Sequence, residues 1–352
     1  MNHQLLGINL IVAATMGAIA ILHLVILWFM PRLTRPDLYF AVTVPSGFRD
    51  APSGKSILRR YRTQLFLISL LALLIFAAGV AWVGVRFVSL GLVIQVFAGF
   101  TAFYLARKRT LPYAVSPTAV RETELREHER VIPGGWIAAL GPFVLLAICA
   151  AYLWFHGAEP QSKPGSTVYL LAMSGVLVVL NLFLYGLARW VRPLYAGGAE
   201  HARELKFRRT VSVIVLAAEY YIVLQASWVL FIPRHQPLMA VATVPLALIF
   251  ALIVVVVLAR LGQGGSRALA AGQNSLGSAV PVGDRTPDHY WKLGVFYFNP
   301  DDSAIFVEKR FGLGYSMNFA RPMSWIIVAL LLMAPLIPIL AHVTGFLPKV
   351  RG

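Results

Sequence analysis

The sequence predicts an all-α polytopic membrane protein of about eight transmembrane helices, with a small cytoplasmic β-hairpin element before the last helix. Three observations predict it. Hydrophobic residues make up 58% of the 352, and the mean hydropathy is +0.72. Uncharged runs of about 18 residues or more recur along the chain, as spanning helices require. Lysine and arginine gather in alternate loops, the pattern that keeps one side of a membrane protein in the cytoplasm. The net charge of +16 would suggest nucleic acid in a soluble chain. Its placement in alternate loops, with no recognition module beside it, argues for no nucleic-acid partner and for a lipid bilayer instead.

The first predicted span is Leu5 to Met30. No Lys or Arg precedes it, and it is too long for a signal-peptide core, so a retained helix is expected, with its N-terminus outside. A basic loop, Pro31 to Arg62, leads to span two, about Gln64 to Val85. Span three, about Phe87 to Ala106, ends at Arg107-Lys108-Arg109. Ser116-Pro117 then reads as a helix N-cap followed by Pro at the first helical position, opening a short surface helix through Glu122 and Arg126. Span four is about Gly135 to His156, with Pro142 inside it, and span five is about Thr167 to Ala188. Span six is about Thr210 to Ile232 and span seven about Met239 to Ala259. Leu261 to Asp288, rich in Gly, Ser and Ala, reads as a flexible tether. The last span, about Met323 to Ala341, follows a polar, patterned segment.

These elements divide the chain into a seven-helix bundle (1–260), a cytoplasmic tether (261–288), a hairpin domain (289–322), and a last helix with an outer tail (323–352). Of the 31 Lys and Arg, 26 fall in the loops after spans one, three, five and seven. That asymmetry predicts both termini outside and residues 260–322 in the cytoplasm of a bacterial inner membrane. Arg35-Pro36-Asp37-Leu38-Tyr39 and Arg192-Pro193-Leu194-Tyr195 follow spans one and five, a short echo that two parallel halves or shared loop chemistry would each explain.

The polar segment carries the most distinctive residues. The apolar run Leu293 to Phe298 ends at Asn299-Pro300-Asp301-Asp302, a strong turn signal. A second run, Ala304 to Val307, is returned to water by Glu308-Lys309-Arg310, so the pair reads as one hairpin with a longer loop. Gly312 and Gly314 supply bends, and Asn318 to Pro322 closes the segment. Trp291 to Gly294, Asn299 to Asp302, Ile305 to Val307, Lys309 to Gly312, Gly314 and Asn318 to Pro322 form a WKLG-(aromatics)-NPDD, IFV-x-KRFG-x-G, NFARP series. The series resembles the C-terminal domain of a group of bacterial multi-spanning membrane proteins of unknown function. Some members of that group share a domain with SdpI-type immunity proteins of bacteriocin producers. The His-Phe-Asn plus Gly-x-x-Asp signature of that domain is absent from this sequence. The resemblance implies a membrane protein and no particular reaction. It marks Trp291, Asn299, Asp301, Asp302, Lys309, Arg310, Gly312, Gly314, Asn318 and Arg321 as a candidate cytoplasmic motif.

Inside the predicted spans, Glu219 is the only acidic residue, and a carboxylate at that depth needs the bundle interior and a partner. At a helical rise of about 1.5 Å per residue, Glu219 lies about 14 Å from the cytoplasmic end of its span, His23 about 10 Å, Asn181 about 12 Å and Gln95 about 16 Å. The four define one candidate polar layer. It could take up a proton or cation, or it could hold helices together by hydrogen bonds. Asp301-Asp302 alone is a poor ligand set, Cys149 has no disulfide partner, and no phosphate loop, nucleophile elbow or zinc-protease motif occurs. No metal, no cofactor and no catalytic residue is therefore expected. The function read from these features is that of a membrane sensor, regulator or envelope-stress component with a cytoplasmic protein partner at the hairpin. The alternative is a small-solute or ion transporter working through the Glu219 layer.

Overall fold

Among the described residues, an α-helix stands at each apolar run: α1 (His3–Leu33), α2 (Pro52–Val83), α3 (Val88–Thr110), α4 (Gly135–His156), α5 (Lys163–Arg189), α6 (Gly198–Phe231), α7 (Leu238–Leu261) and α8 (Pro322–Val343). The structure is a computed structural model and describes residues 3–83, 88–117, 131–156, 163–191, 198–231, 238–265 and 286–343. The surface helix expected after Ser116, most of the tether and the Arg192 echo lie outside the described residues.

Five stretches are long and apolar enough to cross a membrane: Pro52–Gly79, Gly135–Tyr152, Leu170–Arg189, His201–Ser227 and Pro245–Gly265. Shorter apolar helical stretches occupy Gly17–Leu33 and Pro322–Met333. Large side chains on these helices point away from the protein, among them Leu67, Leu71 and Leu74 on α2 and Ile137, Leu140 and Ile148 on α4. Apolar faces of that extent are stable against lipid and not against water. The chain is a membrane protein. Two helices begin well before their apolar runs. α2 starts at Pro52 and carries Lys55, Arg59, Arg60 and Arg62 in its first turns. α6 starts at Gly198 and is supported there by an Arg208–Glu204 pair at 2.7 Å, one helical turn apart. Helical propensity carries both helices beyond the apolar stretch, and in α6 the ion pair adds to it.

The chain divides into two units. One comprises residues 1–122, 238–297 and 308–316, and the other 123–237, 298–307 and 317–352. In the first, α2 packs along α3, and α1 contacts α2, α3 and α7. Its core is aromatic: Phe40 meets Tyr39 and Tyr61 edge-on at 4.7 and 4.8 Å, and Phe103 lies 4.3 Å from Phe311. In the second, α5 packs against α4, α6 and α8, and α4 also contacts α6. Leu146, Leu177 and Val223 form its buried centre.

The strands are short. β1 (Leu38–Tyr39) pairs with β2 (Val42–Thr43), and β3 (Trp291–Lys292) pairs with β4 (Phe296–Tyr297), both antiparallel. β5 (Phe306–Glu308) pairs with β6 (Tyr315–Met317). The C-terminal segment thus forms two short pairs where one hairpin between 293–298 and 304–307 was expected. The reason lies inside the aromatic run. Leu293 and Gly294 adopt φ of 54° and 81°, so the chain turns there and β4 folds back on Trp291–Lys292. Gly312 and Gly314, at φ of 100° and 93°, turn the chain again and give β5 its partner.

Candidate functional site

In the first unit, a buried cation organises residues 286–297 and 308–316. Arg310 is fully buried and forms an ion pair with Asp288. The same guanidinium donates to the Thr286 carbonyl and lies over the Trp291 ring, 5.3 Å from its centroid. Trp291 Nε1 donates to Thr286 Oγ1 at 3.3 Å. Asp288 in turn accepts from Thr43 Oγ1 at 2.9 Å and from the Thr43 N–H at 3.3 Å. The loop between α1 and α2 is thereby joined to the C-terminal segment through a charge held out of water.

That loop is itself strained. β1 and β2 are connected by Phe40 and Ala41, with φ of 45° and 61°. Two successive left-handed residues make a tight hairpin turn that ordinarily uses Asn and Gly. Here the bulky residue is held by burial in the aromatic core, and Arg107 donates to the Ala41 carbonyl at 2.5 Å. A Cβ on Gly294 would stand 2.8 Å from Arg107 Cδ and 3.1 Å from the Ala41 side chain, so the turn before β4 comes close to this carbonyl clamp. Tyr39 donates to the Gly54 carbonyl at 3.0 Å. Burial pushes its phenol up to about 12, against the opposing pull of Arg49 and Arg62.

Two further contacts fix the segment in this unit. Gln263 pairs with the backbone of Gly314, donating to its carbonyl at 2.8 Å and accepting its N–H at 2.9 Å. Arg35 lies 3.7 Å from Glu308. The expectation that Glu308-Lys309-Arg310 returns the chain to water is corrected for two of the three. Lys309 is exposed, while Glu308 and Arg310 are buried because each faces an opposite charge. A buried charge is tolerable under that condition.

In the second unit the organising residue is neutral. Asn318 is fully buried, and its side-chain amide uses its whole bonding capacity. It donates to the carbonyls of Asn299 and Asp302 at 2.9 and 3.0 Å and accepts the N–H groups of Asn299 and Ala320 at 3.1 and 3.2 Å. Arg321 donates to the carbonyls of Asp302 and Pro300 at 2.8 and 3.0 Å. The turn signal in Asn299-Pro300-Asp301-Asp302 is realised as side chain to backbone bonds: Asn299 Oδ1 accepts the Asp301 N–H and Asp302 Oδ1 the Ala304 N–H, each at 3.0 Å. Phe306 begins β5 by donating its N–H to the Trp190 carbonyl at 3.1 Å. Its ring presses onto Gly186, where a Cβ would stand 2.2 Å away.

Of the candidate membrane layer, Asn181 and Glu219 meet in the second unit. Asn181 Nδ2 donates to Glu219 Oε1 at 3.0 Å, and Glu219 is fully buried. Glu219 Oε2 has no hydrogen-bond partner among the described residues. His23 and Gln95 belong to the first unit, where Gln95 donates to Ser69 at 3.1 Å and His23 lies beside Gly99. Ser69, Arg107, Thr286 and Asp288 were not singled out from sequence. Arg107 sits in a basic run that charge asymmetry alone explains, and Thr286 and Asp288 sit at the end of a stretch whose composition reads as tether. Among the described residues no group of three or more His, Cys, Asp or Glu could hold a metal ion.

This geometry defines a multi-helix membrane protein with a polar C-terminal segment folded back on its loops. Residues 300–325 match a protein family of unknown function, DUF5808. They run from the Asn299 turn through Arg310 and Asn318 to the first turn of α8. No curated protein and no solved structure matches the chain.

Proposed function

We propose that the protein is a bacterial inner-membrane sensor or regulator of eight transmembrane helices, with residues 260–322 forming a cytoplasmic module that responds to the state of the membrane or to a protein partner. The charge asymmetry of the loops supports the orientation. The observation that carries the regulatory reading is the ion pair of buried Arg310 with half-buried Asp288, joined to Thr43 of the first loop. A buried ion pair contributes little net stability against an apolar substitute but is costly to break halfway, so it favours one register over others. Such a contact can hold a module in one state until an input shifts it.

The test is complementation. A deletion strain is challenged with membrane-perturbing stress and supplied with wild type or Arg310→Gln, with expression and folding of each checked in the membrane. Failure of a well-folded variant to restore growth supports the reading. Full rescue by the variant, or no growth defect in the deletion strain under any such stress, overturns it.

A second reading has its own observation. Glu219 is fully buried with one oxygen unpartnered among the described residues, and an intramembrane carboxylate of that kind fits a proton- or cation-linked transporter. Proteoliposomes of wild type and Glu219→Gln decide it. Flux lost in a folded variant supports transport, and absence of flux in both leaves Glu219 as a packing residue.

A further inference from the structure

The first turns of α2 present Lys55, Arg59 and Arg62 along one stripe, spaced four and three residues apart. They line an open groove of about 490 Å³ whose other walls include Trp28 of α1 and Phe66 and Leu67 of α2. Arg62 lies over the Trp28 ring, 5.1 Å from its centroid. Its Nε is buried and has no hydrogen-bond partner among the described residues. Among the described residues no acidic side chain lines the groove. Cations therefore converge there without a counter-charge from the groove's own walls.

The two ends of the groove differ in chemistry. Lys55 and Arg59 are exposed at the basic end, and Phe66 and Leu67 are 50% and 56% exposed at the apolar end. From Lys55 to Leu67 the helix rises about 18 Å, close to the half-thickness of a bilayer with its headgroups, about 20 Å. A free phosphate would satisfy the cations and leave the apolar half uncovered. A molecule with an anionic head and an acyl chain fills both.

We propose that this groove is a binding site for an anionic phospholipid of the adjoining leaflet, with the phosphate held by Lys55, Arg59 and Arg62 and an acyl chain lying along Phe66 and Leu67. Basic pockets beside membrane helices recognise headgroups in this way. Trp28 and Arg62 close the junction between head and chain, the depth at which aromatic and basic side chains are favoured.

The test is native mass spectrometry of the purified full-length chain, equilibrated with micelles holding equal phosphatidylglycerol and phosphatidylcholine. Wild type is expected to retain phosphatidylglycerol selectively. Lys55→Gln/Arg59→Gln, which alters exposed residues and should fold, is expected to lower its retention by at least about tenfold. The charge-matched control Arg60→Gln/Lys108→Gln changes exposed residues outside the groove and is expected to retain it. Arg62→Lys, which keeps the charge and loses the planar contact with Trp28, is expected to weaken retention several-fold. Equal loss in groove and control variants, or equal retention of the two lipids, overturns the proposal by reducing it to general surface charge. Displacement of the lipid by millimolar inorganic phosphate also overturns it, because the ligand would then be the free anion.

Discussion

Arg310 and Asn318 stand close in sequence, and each is fully buried, yet they hold their surroundings by different physics. Arg310 in the first unit brings a full charge into the interior and relies on Asp288, the Thr286 carbonyl and the Trp291 face to keep it there. Asn318 in the second unit brings a neutral amide that satisfies four backbone groups. The first arrangement is strongly conditional, since it fails when one partner is lost. The second is a local splint, since each bond replaces one that water would make and no charge is stranded.

The sharpest way to break the contrast is to strand a charge. Arg310→Met leaves Asp288 facing Thr43 without its cation and should destabilise the first unit by about 3–5 kcal/mol. A large drop in the melting temperature of the detergent-solubilised protein checks it. Arg310→Met/Asp288→Leu should be more stable than the single variant, because the uncompensated carboxylate is gone. If the double variant is the worse of the two, the pair is not held by charge compensation.

Asn318→Leu removes four bonds without stranding a charge, and the smaller cost of about 2–3 kcal/mol is expected. The loss should localise. Faster amide exchange is expected at Asn299 and Ala320, whose N–H groups lose their acceptor, and not at Thr43. Uniform exchange across both units would contradict the local splint.

These two centres were not equally legible in the sequence. The helices were, because an uncharged run long enough to span a bilayer has few alternatives to helix. The Asn299 to Asp302 turn was, because Asn and Asp carry their own backbone bonds into it. The Arg310 centre was hidden. Its counter-charge, Asp288, lies beyond a stretch of Gly, Ser and Ala, and a basic residue after a strand reads as solvated unless its partner is known. The β1–β2 turn was hidden for a different reason. Phe40 and Ala41 carry no turn signal, and only the aromatic core and Arg107 make left-handed geometry tolerable there. The exchange of strand partners followed from Leu293 and Gly294, where a single Gly within an apolar run was too weak a cue.

The same contrast continues at membrane depth with smaller energies. Gln95 and Ser69 form a neutral pair in the first unit, and Asn181 supports a carboxylate in the second. Ser69→Ala should cost about 0.6 kcal/mol, the usual scale of a hydrogen bond between membrane helices. Asn181→Leu should cost more, about 1–2 kcal/mol, because it removes the donor that Glu219 Oε1 uses. Equal effects in a melting assay would mean that Glu219 draws no support from Asn181.

A pH-dependent effect, close to zero at a pH of about 11, tests whether the first unit's aromatic core is as dry as its packing implies. Burial holds the Tyr39 phenol up to about 12, while in the unfolded chain it titrates near about 10. The folded state therefore keeps its proton where the unfolded state has lost it. The stabilisation is complete below pH of about 10 and falls away as pH rises from about 10 toward about 12. Tyr39→Phe cannot ionise, and it loses only the bond to the Gly54 carbonyl, worth about 1 kcal/mol. Wild type should thus be the more stable protein at neutral pH, and the gap should close or reverse near pH 11, about midway through that window. Melting curves of the two proteins across that range decide it. A constant gap would mean that the phenol ionises equally well in both states, and that water reaches the ring beside Phe40 and Phe48.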